Sequence, residues 1–311
     1  MALVPTIQQL RVSRCYVREF TLALDLTAVL GVERADRITP VESEWPQIGI
    51  LPTPASDVPI FSLAGLLGLP ELPTQRGAHL LLVETPSGIV GLLADQTEQG
   101  FPVSAVNFLR MPVAAKLEHF PAVVRTTSGL LPWLDPVGLF AGMPTREVPR
   151  ESPWRFRQPT TARNRLMVIP LPHSRPGERA WAVGIPAAAV AELVEAGNIV
   201  AVPGAPCHVD GIMLWRDRVI GLLDLSRWLR LPSQPLGHSW IAILAVPGQD
   251  EPIGLRIPRG MRMLKLPLPN ICSLRRFPGY PERFITAVEV GEQTVGLLDL
   301  AGFNDGPFRD V

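Results

Sequence analysis

The chain has 311 residues, of which 47% are hydrophobic and 19% charged, with 29 acidic and 29 basic side chains. This composition is typical of a folded globular chain with room for two domains, and it excludes extended disorder. The formal net charge of zero gives no global argument for binding nucleic acid or an anionic membrane.

Residues 1–10 contain neither a basic start nor a sustained apolar run, so we expect no signal peptide. No stretch of the sequence reaches the length of an apolar transmembrane helix, so we expect no membrane insertion. The cysteines, Cys15, Cys207 and Cys272, form no CxxC pair, which is typical of reduced thiols. These features predict a cytoplasmic location.

The 34 prolines and 26 glycines divide the sequence into short segments. Between them lie apolar runs rich in valine, isoleucine and leucine, typical of strands buried in a small barrel. We predict strands at 78–84, 88–94, 166–169, 240–246 and 284–290, with hairpin turns at 86–88 and 291–292. Because proline disrupts helix interiors, the prediction is a mainly β architecture.

Short helices are predicted at four places. The segment 25–30 would be capped by Asp25. Its counterpart, 186–197, has proline in its first turn and glycine just past its end, an asymmetry typical of a short helix. Segments 63–67 and 225–229 follow predicted strands and carry leucine or tryptophan at spacings that would pack one face against a barrel.

The sequence pattern occurs twice, about 160 residues apart. Val58-Pro-Ile-Phe-Ser-Leu-Ala-Gly-Leu-Leu-Gly-Leu-Pro70 returns as Val219-Ile-Gly-Leu-Leu-Asp-Leu-Ser-Arg-Trp-Leu-Arg-Leu-Pro232, and Leu134-Asp135 returns as Leu298-Asp299. A repeat of this length indicates two similar domains, since solenoid units are several times shorter. It also favours paired binding surfaces over a single active site.

We predict a first domain over 1–142, a connector over 143–163 and a second domain over 164–311. The connector alternates prolines with arginines, which is typical of a solvated, semi-extended linker. The alternative is a basic docking strap anchored by Trp154 and Phe156.

The second repeat, about residues 165–303, resembles the CheW domain, the adaptor fold of bacterial chemosensory arrays. Val200-Ala-Val-Pro-Gly-Ala-Pro206 is similar to the segment before the family's central strand. Gly211-Ile-Met-Leu-Trp-Arg-Asp-Arg-Val-Ile-Gly-Leu-Leu-Asp-Leu225 is similar to its signature, in which an Asn-Leu-Arg-Gly turn leads into a Val-Asp-Leu strand. The first repeat, about residues 12–140, is similar but more diverged.

The resemblance implies two tandem CheW-like domains, each a pair of small five-stranded SH3-like barrels with a few short helices. In the family, one barrel pairs with a barrel of a CheA-type histidine kinase, and the groove between the barrels receives a chemoreceptor tip. The family has no catalytic residues and no cofactor. Other CheW-like proteins are further possible partners.

The resemblance also implies the candidate partner-binding residues, which are Arg216, Trp215, Asp217, Val219, Leu222 and Asp224. Arg216 stands at the family arginine, which contributes to receptor contact, while Leu214 replaces the asparagine and Asp217 the glycine. Since aspartate adopts positive φ less readily than glycine, the turn is expected to differ.

The two copies depart from the family pattern in different places. In the first repeat, Pro54 stands at the arginine position and Ser62 at that of Asp224. After the hairpin the first repeat keeps Leu93-Ala-Asp95, whereas the second has Leu255-Arg-Ile-Pro258. We therefore expect the copies not to be interchangeable.

Searches of the sequence for catalytic chemistry find no supporting constellation. There is no glycine-rich phosphate loop and no G-x-S-x-G elbow, and the histidines lack metal-binding spacing. The adjacent Cys207 and His208 have no second pair to complete a tetrahedral site. Asp135, Asp224 and Asp299 follow predicted strands, where capping of the next turn is favoured over a paired-carboxylate hydrolase.

The sequence leaves open the roles of one arginine and two tryptophans. Arg216 is either a solvated turn residue or a partner contact. Trp215 and Trp228 are expected to be packing residues, whereas an exposed Trp215 beside Arg216 would be typical of a binding hot spot.

The resulting hypothesis is a non-enzymatic chemosensory adaptor that couples a CheA-type kinase to chemoreceptors through protein contacts. The alternative is a CheW-derived structural or assembly component of another bacterial machine, such as a type IV pilus system. A third hypothesis, an enzyme or small-ligand binder using a cleft between barrels, would need converging polar groups.

Overall fold

The computed structural model describes residues 9–41, 45–54, 56–70, 77–115, 119–141, 165–171, 180–229, 239–247, 249–258, 260–265, 271–272 and 283–300. The predicted connector, with Trp154 and Phe156, lies outside these residues. In the described part, β-strands dominate and each α-helix is a single turn. The prediction of a mainly β chain is confirmed.

The first repeat forms two sheets. The strands of one are β1 Gln9–Val17, β2 Phe20–Asp25, β8 Gln96–Thr97, β9 Phe101–Ser104, β10 Phe108–Arg110, β11 Ala122–Thr126 and β12 Gly129–Leu134. Those of the other are β3 Val29–Arg34, β4 Gln47–Leu51, β5 Val58–Ser62, β6 His79–Thr85 and β7 Gly88–Ala94. Two single-turn helices, α1 Leu63–Leu66 and α2 Gly138–Ala141, complete this repeat.

The second repeat is built in the same way. One sheet contains β13 Arg165–Pro170, β14 Ala180–Pro186, β20 Arg262–Lys265, β21 Ile271–Cys272, β22 Phe284–Val290 and β23 Gln293–Leu298. The other contains β15 Val190–Glu195, β16 Val209–Trp215, β17 Arg218–Asp224, β18 Trp240–Leu244 and β19 Ile253–Ile257. The helix α3 Leu225–Trp228 follows β17.

The five-stranded sheets of the two repeats have the same topology. Their orders are β3-β6-β7-β5-β4 and β15-β18-β19-β17-β16, each with one parallel pair, β5 with β7 and β17 with β19. Isolated bridges, Thr39 to Ile50 and Val200 to Ile212, join equivalent points at the edge of each sheet. The predicted duplication is therefore a duplication of strand order as well as of sequence.

The helices after the central strands begin as predicted. In α3, an Asp224 carboxylate oxygen accepts hydrogen bonds from the backbone N–H groups of Ser226 and Arg227, at 2.8 and 3.1 Å. In α1, the Ser62 hydroxyl accepts one from Gly65. Side-chain acceptors at this position satisfy N–H groups that have no partner within the helix.

The other two predicted helices are wrong. Residues 187–189 form a single 3₁₀ turn, and Val190–Glu195 is strand β15, paired antiparallel with β18. Helix propensity is overridden because a helix here would leave β18 without a neighbour on that side. Around Asp25, strand β2 ends in a turn in which the Asp25 carboxylate accepts from the Thr27 N–H at 2.8 Å. Strand β3 then begins at Val29.

Apolar clusters lie within the sheets and between them. Met213, Ile220 and Ile241 belong to the cluster inside the five-stranded sheet of the second repeat. A larger cluster joins the two sheets of that repeat. The corresponding cluster of the first repeat contains side chains of α1 and of both its sheets, and it extends into residues of the second repeat. The two repeats therefore share a continuous core.

Candidate protein-binding surfaces

The β16–β17 hairpin presents the predicted turn at its tip. Trp215 pairs with Arg218, leaving Arg216 and Asp217 as a two-residue loop. Arg216 has a φ of 55°, so the arginine itself adopts the left-handed conformation. Asp217 does not have a positive φ. Its replacement of the family glycine therefore does not place an aspartate in the left-handed conformation.

Glu192, on strand β15, holds this turn. One of its carboxylate oxygens accepts from the Trp215 indole N–H and from the Arg216 guanidinium, both at 3.0 Å. The guanidinium also lies over the indole, 4.6 Å from the ring centroid, within the range of a cation–π contact. The Arg216 side chain remains 67% exposed. The arrangement fixes an arginine while leaving it open to solvent.

The other predicted partner-binding residues occupy different environments. Asp217 is exposed beside Arg216. Trp215 and Val219 are 5% and 7% exposed, Leu222 is completely buried, and Asp224 caps α3. The burial of Trp215 is that of a packing residue, as expected, and not that of an exposed hot spot.

In the first repeat the equivalent hairpin has a different tip. Strand β4 pairs with β5 up to Leu51 and Val58, so six residues connect these strands where the second repeat has a two-residue turn. Pro54 lies in this loop and is exposed. No arginine stands at this tip, because residues 52–57 contain none.

A second contact surface lies between the repeats. We call residues 110–115 the docking turn; they begin at Arg110, the last residue of β10, and include a 3₁₀ turn over Val113–Ala115. This segment packs on β16 and β17 of the second repeat. We call its receiving surface, Val202, Ile212, Val219 and Gly221, the docking face. The first three share an apolar cluster with Met111 and Ala115 of the docking turn.

Gly221 allows the close approach. A Cβ atom added there would lie 2.5 Å from the Ala114 Cβ, 3.3 Å from the Ala115 nitrogen and 3.4 Å from the Ala114 carbonyl carbon. All three nearest atoms belong to the first repeat. A glycine inside a strand often marks a place where another backbone comes close, and here that backbone is the docking turn.

A carboxylate at the edge of the docking face adds polar contacts. Glu251 accepts a hydrogen bond from the Val113 backbone N–H at 2.9 Å and pairs with the Arg110 guanidinium at 3.8 Å. These contacts fix the orientation of the docking turn at its exposed side.

The first repeat has no equal docking face. The strand registers place Ile50, Asp57 and Pro59 where the second repeat has Ile212, Val219 and Gly221. Asp57 is exposed, and a proline ring fills the space that Gly221 leaves open. The contact between the repeats is therefore one-directional in the described part of the chain.

The segments after the two hairpins differ as the sequence indicated. The Asp95 carboxylate accepts from the Arg18 N–H at the tip of the β1–β2 hairpin. In the second repeat, the Arg256 guanidinium donates to Asp210 at 2.6 Å and to the Ser239 hydroxyl at 3.0 Å. The Asp95 carboxylate thus joins the β1–β2 hairpin to the end of β7. The Asp210 carboxylate joins the β16–β17 hairpin to β19.

The described residues contain no group of three or more histidine, cysteine, aspartate or glutamate side chains placed to hold a metal ion. Burial raises the pKa of the Cys15 thiol to about 12, with a further contribution from the Asp95 charge. Cys207 is exposed. Within the same residues, no helix is both long and apolar enough to span a membrane.

Sequence reasoning missed Glu192 and the docking turn. Glu192 fell within a segment predicted to be helical, so its position opposite Trp215 could not be foreseen. The docking turn left one signal in the sequence, the glycine at position 221 within the apolar run of a strand, where the first repeat has Pro59.

Paired small sheets, occurring twice and joined through a docking contact, define a β-rich protein of two similar domains. The family model of the CheW-like domain matches residues 12–142 and again residues 176–305. The chain belongs to this family and contains two tandem CheW-like domains. The family consists of non-enzymatic scaffold proteins, and membership in it supports a role as a chemotaxis-type adaptor or scaffold.

Comparison with solved structures finds similarity to the scaffolding protein TtCheW from Thermoanaerobacter tengcongensis. That protein is 17% identical, and the match covers 43% of this chain and 93% of TtCheW, with a TM-score of 0.39. A comparison with curated proteins found no match.

Proposed function

We propose that this chain is a cytoplasmic adaptor that couples a CheA-type histidine kinase to chemoreceptor tips, with the Arg216 turn of the second repeat as a receptor contact. The observation that carries the proposal is the Arg216 guanidinium, held by Glu192 and Trp215 yet 67% exposed. A side chain restrained before binding loses less conformational freedom on complex formation.

The other predicted residues support this turn in different ways. Asp217 shares the exposed tip and would contact the same partner. Trp215 supplies the surface on which the guanidinium lies. Leu222 packs in the cluster inside the five-stranded sheet, and Asp224 caps the helix that follows β17. Val219 has another role, because it already packs against the first repeat.

The test uses the full chain with a purified CheA-type kinase and a receptor cytoplasmic fragment from the same organism. We expect Arg216→Ala to weaken binding of the receptor fragment about tenfold or more, as at a hot spot, and to leave kinase binding unchanged. Arg37→Ala is the matched control, since Arg37 is also exposed and pairs with a glutamate, Glu33, at 2.8 Å. It should change neither affinity.

Two results would count against the proposal separately. If the wild-type chain binds no CheA-type kinase, the coupling function is wrong. If Arg216→Ala binds the receptor fragment as tightly as the wild type, the assignment of the turn is wrong while the adaptor function stands.

A second candidate function is an assembly component of another bacterial machine, without receptor coupling. It is favoured by the docking face, which is occupied within the chain, and by Asp217 in place of the family glycine. Binding to pilus-system components in the absence of kinase and receptor binding would support this function.

A further inference from the structure

We propose that the first repeat is a built-in occupant of the docking face of the second repeat, so that a barrel from another protein can bind this face only in competition with the docking turn. The competition rests on the proposed adaptor function, in which CheW-like barrels bind other barrels. The occupancy of the docking face by the first repeat does not depend on that function, because it follows from contacts within this chain.

The first step of the argument is the character of the docking face. Val202, Ile212 and Val219 are 5%, 0% and 7% exposed, and they pack with Met111 and Ala115 of the first repeat. Separation of the repeats would expose these apolar side chains to water, at a cost proportional to their area. The face therefore requires an occupant.

The second step identifies what fits. With glycine at position 221 and Ala114 opposite, the two backbones approach so closely that a single added Cβ would overlap. An occupant must therefore present a turn with small side chains. Beside it, Glu251 requires a free backbone N–H and favours a cation, which Val113 and Arg110 provide.

The third step concerns direction. A second copy of the chain could present the same docking turn, but the first repeat offers it no equal surface, since Pro59 and Asp57 replace Gly221 and Val219. Repeated head-to-tail assembly through this contact would need a free docking turn and a free docking face, and within one chain each already occupies the other. The docking turn and the docking face within one chain form a closed pair, unlike an open heterologous interface.

The occupancy is tested with the full chain carrying a protease site between residues 150 and 151. After cleavage, we expect the two halves to elute together, and Gly221→Ala to weaken their association about 10- to 100-fold by overpacking. The matched control is Gly31→Ala, in strand β3, where an added Cβ meets nothing within 4 Å. It should leave the association unchanged.

A compensating substitution in the docking turn distinguishes a loss of docking from misfolding. Ala114→Gly removes the methyl group that an added Cβ at position 221 would strike, so the pair Ala114→Gly with Gly221→Ala should regain most of the lost affinity. A Gly221→Ala variant that merely misfolds would not be rescued in this way. Halves that separate in the wild type, or that remain together unchanged in Gly221→Ala, would overturn the occupancy.

The competition is tested with the unlabelled first half, purified from the cleaved Gly221→Ala chain, as a donor of a free docking turn. Added in excess to the cleaved wild-type pair, it should release the labelled first half, while a donor that also carries Ala114→Arg should not. Absence of release would overturn the competition. Elution of the intact wild-type chain as a dimer that dissociates in Gly221→Ala would show that a second copy is the occupant, and would overturn the assignment within one chain.

Discussion

Replacement of Glu192 separates the two interactions that hold the Arg216 turn. The glutamate accepts from the Trp215 indole, which is 5% exposed, and from Arg216, which is 67% exposed. An exposed ion pair contributes about 0.2–1 kcal/mol, whereas removal of an acceptor from a buried donor costs about 1–3 kcal/mol. The buried hydrogen bond should therefore dominate the energetics.

We expect Glu192→Gln, which keeps an acceptor oxygen but loses the charge, to lower the free energy of unfolding by about 0.5 kcal/mol. Glu192→Ala should lower it by about 2 kcal/mol, because the acceptor is lost as well. Urea denaturation followed by tryptophan fluorescence measures both changes, and the effect of Glu192→Gln should shrink at high salt. Equal losses in the two variants would refute the dominance of the indole hydrogen bond.

Two further predictions concern the contact between the repeats and the buried thiol. Glu251→Ala should weaken the association of the cleaved halves about 3- to 10-fold, because Val113 loses a charge-assisted hydrogen bond; size-exclusion chromatography at several concentrations measures this. Cys15, completely buried and with its pKa raised to about 12, should resist alkylation by iodoacetamide at about pH 8 while Cys207 reacts, as read by peptide mass spectrometry.

Each of these has its own control. Glu289→Ala, in the second repeat but on strand β22, should leave the halves associated as in the wild type, and an equal loss there would contradict a specific role for Glu251. For the thiols, denatured protein should be alkylated at both positions. Rapid labelling of Cys15 in the native chain would contradict its burial.

The local features of the fold could be predicted from the sequence, since their causes lie within a few residues. The helix after the central strand begins at Leu225 because Asp224 caps it, and the hairpin over 291–292 is set by a two-residue turn. The repeat of Val58–Ser62 in the stretch that starts at Val219 also predicted equivalent strands. These are β5 and β17, each of which pairs in parallel with the next strand of the same sheet order.

The features that were missed depend on contacts distant in sequence. The alanines of residues 186–197 favour a helix when only neighbours are considered, but the pairing of β15 with β18 decides the structure. Glu192 was missed for this reason, although it anchors the most exposed arginine of the candidate site. The docking turn carries no periodicity of its own. Its trace in the sequence is Gly221, about 100 residues later, and a lone strand glycine does not say which segment approaches it.

The two copies also differ around the strand that receives the docking turn. Strand β17 lies between β19 and β16, and Arg256 on β19 reaches across it to Asp210 on β16. At the matching positions the first repeat has Leu93 and Ile48, which belong to an apolar cluster. A half-buried ion pair adds little net stability, but its hydrogen bonds restrict the register of the strands that it joins. In the second repeat an ion pair thus spans strand β17, which carries Gly221 at its surface. In the first repeat apolar residues stand at the positions of this ion pair, and strand β5 carries Pro59. The glycine leaves the space that the docking turn fills in the second repeat, and the proline closes the same space in the first.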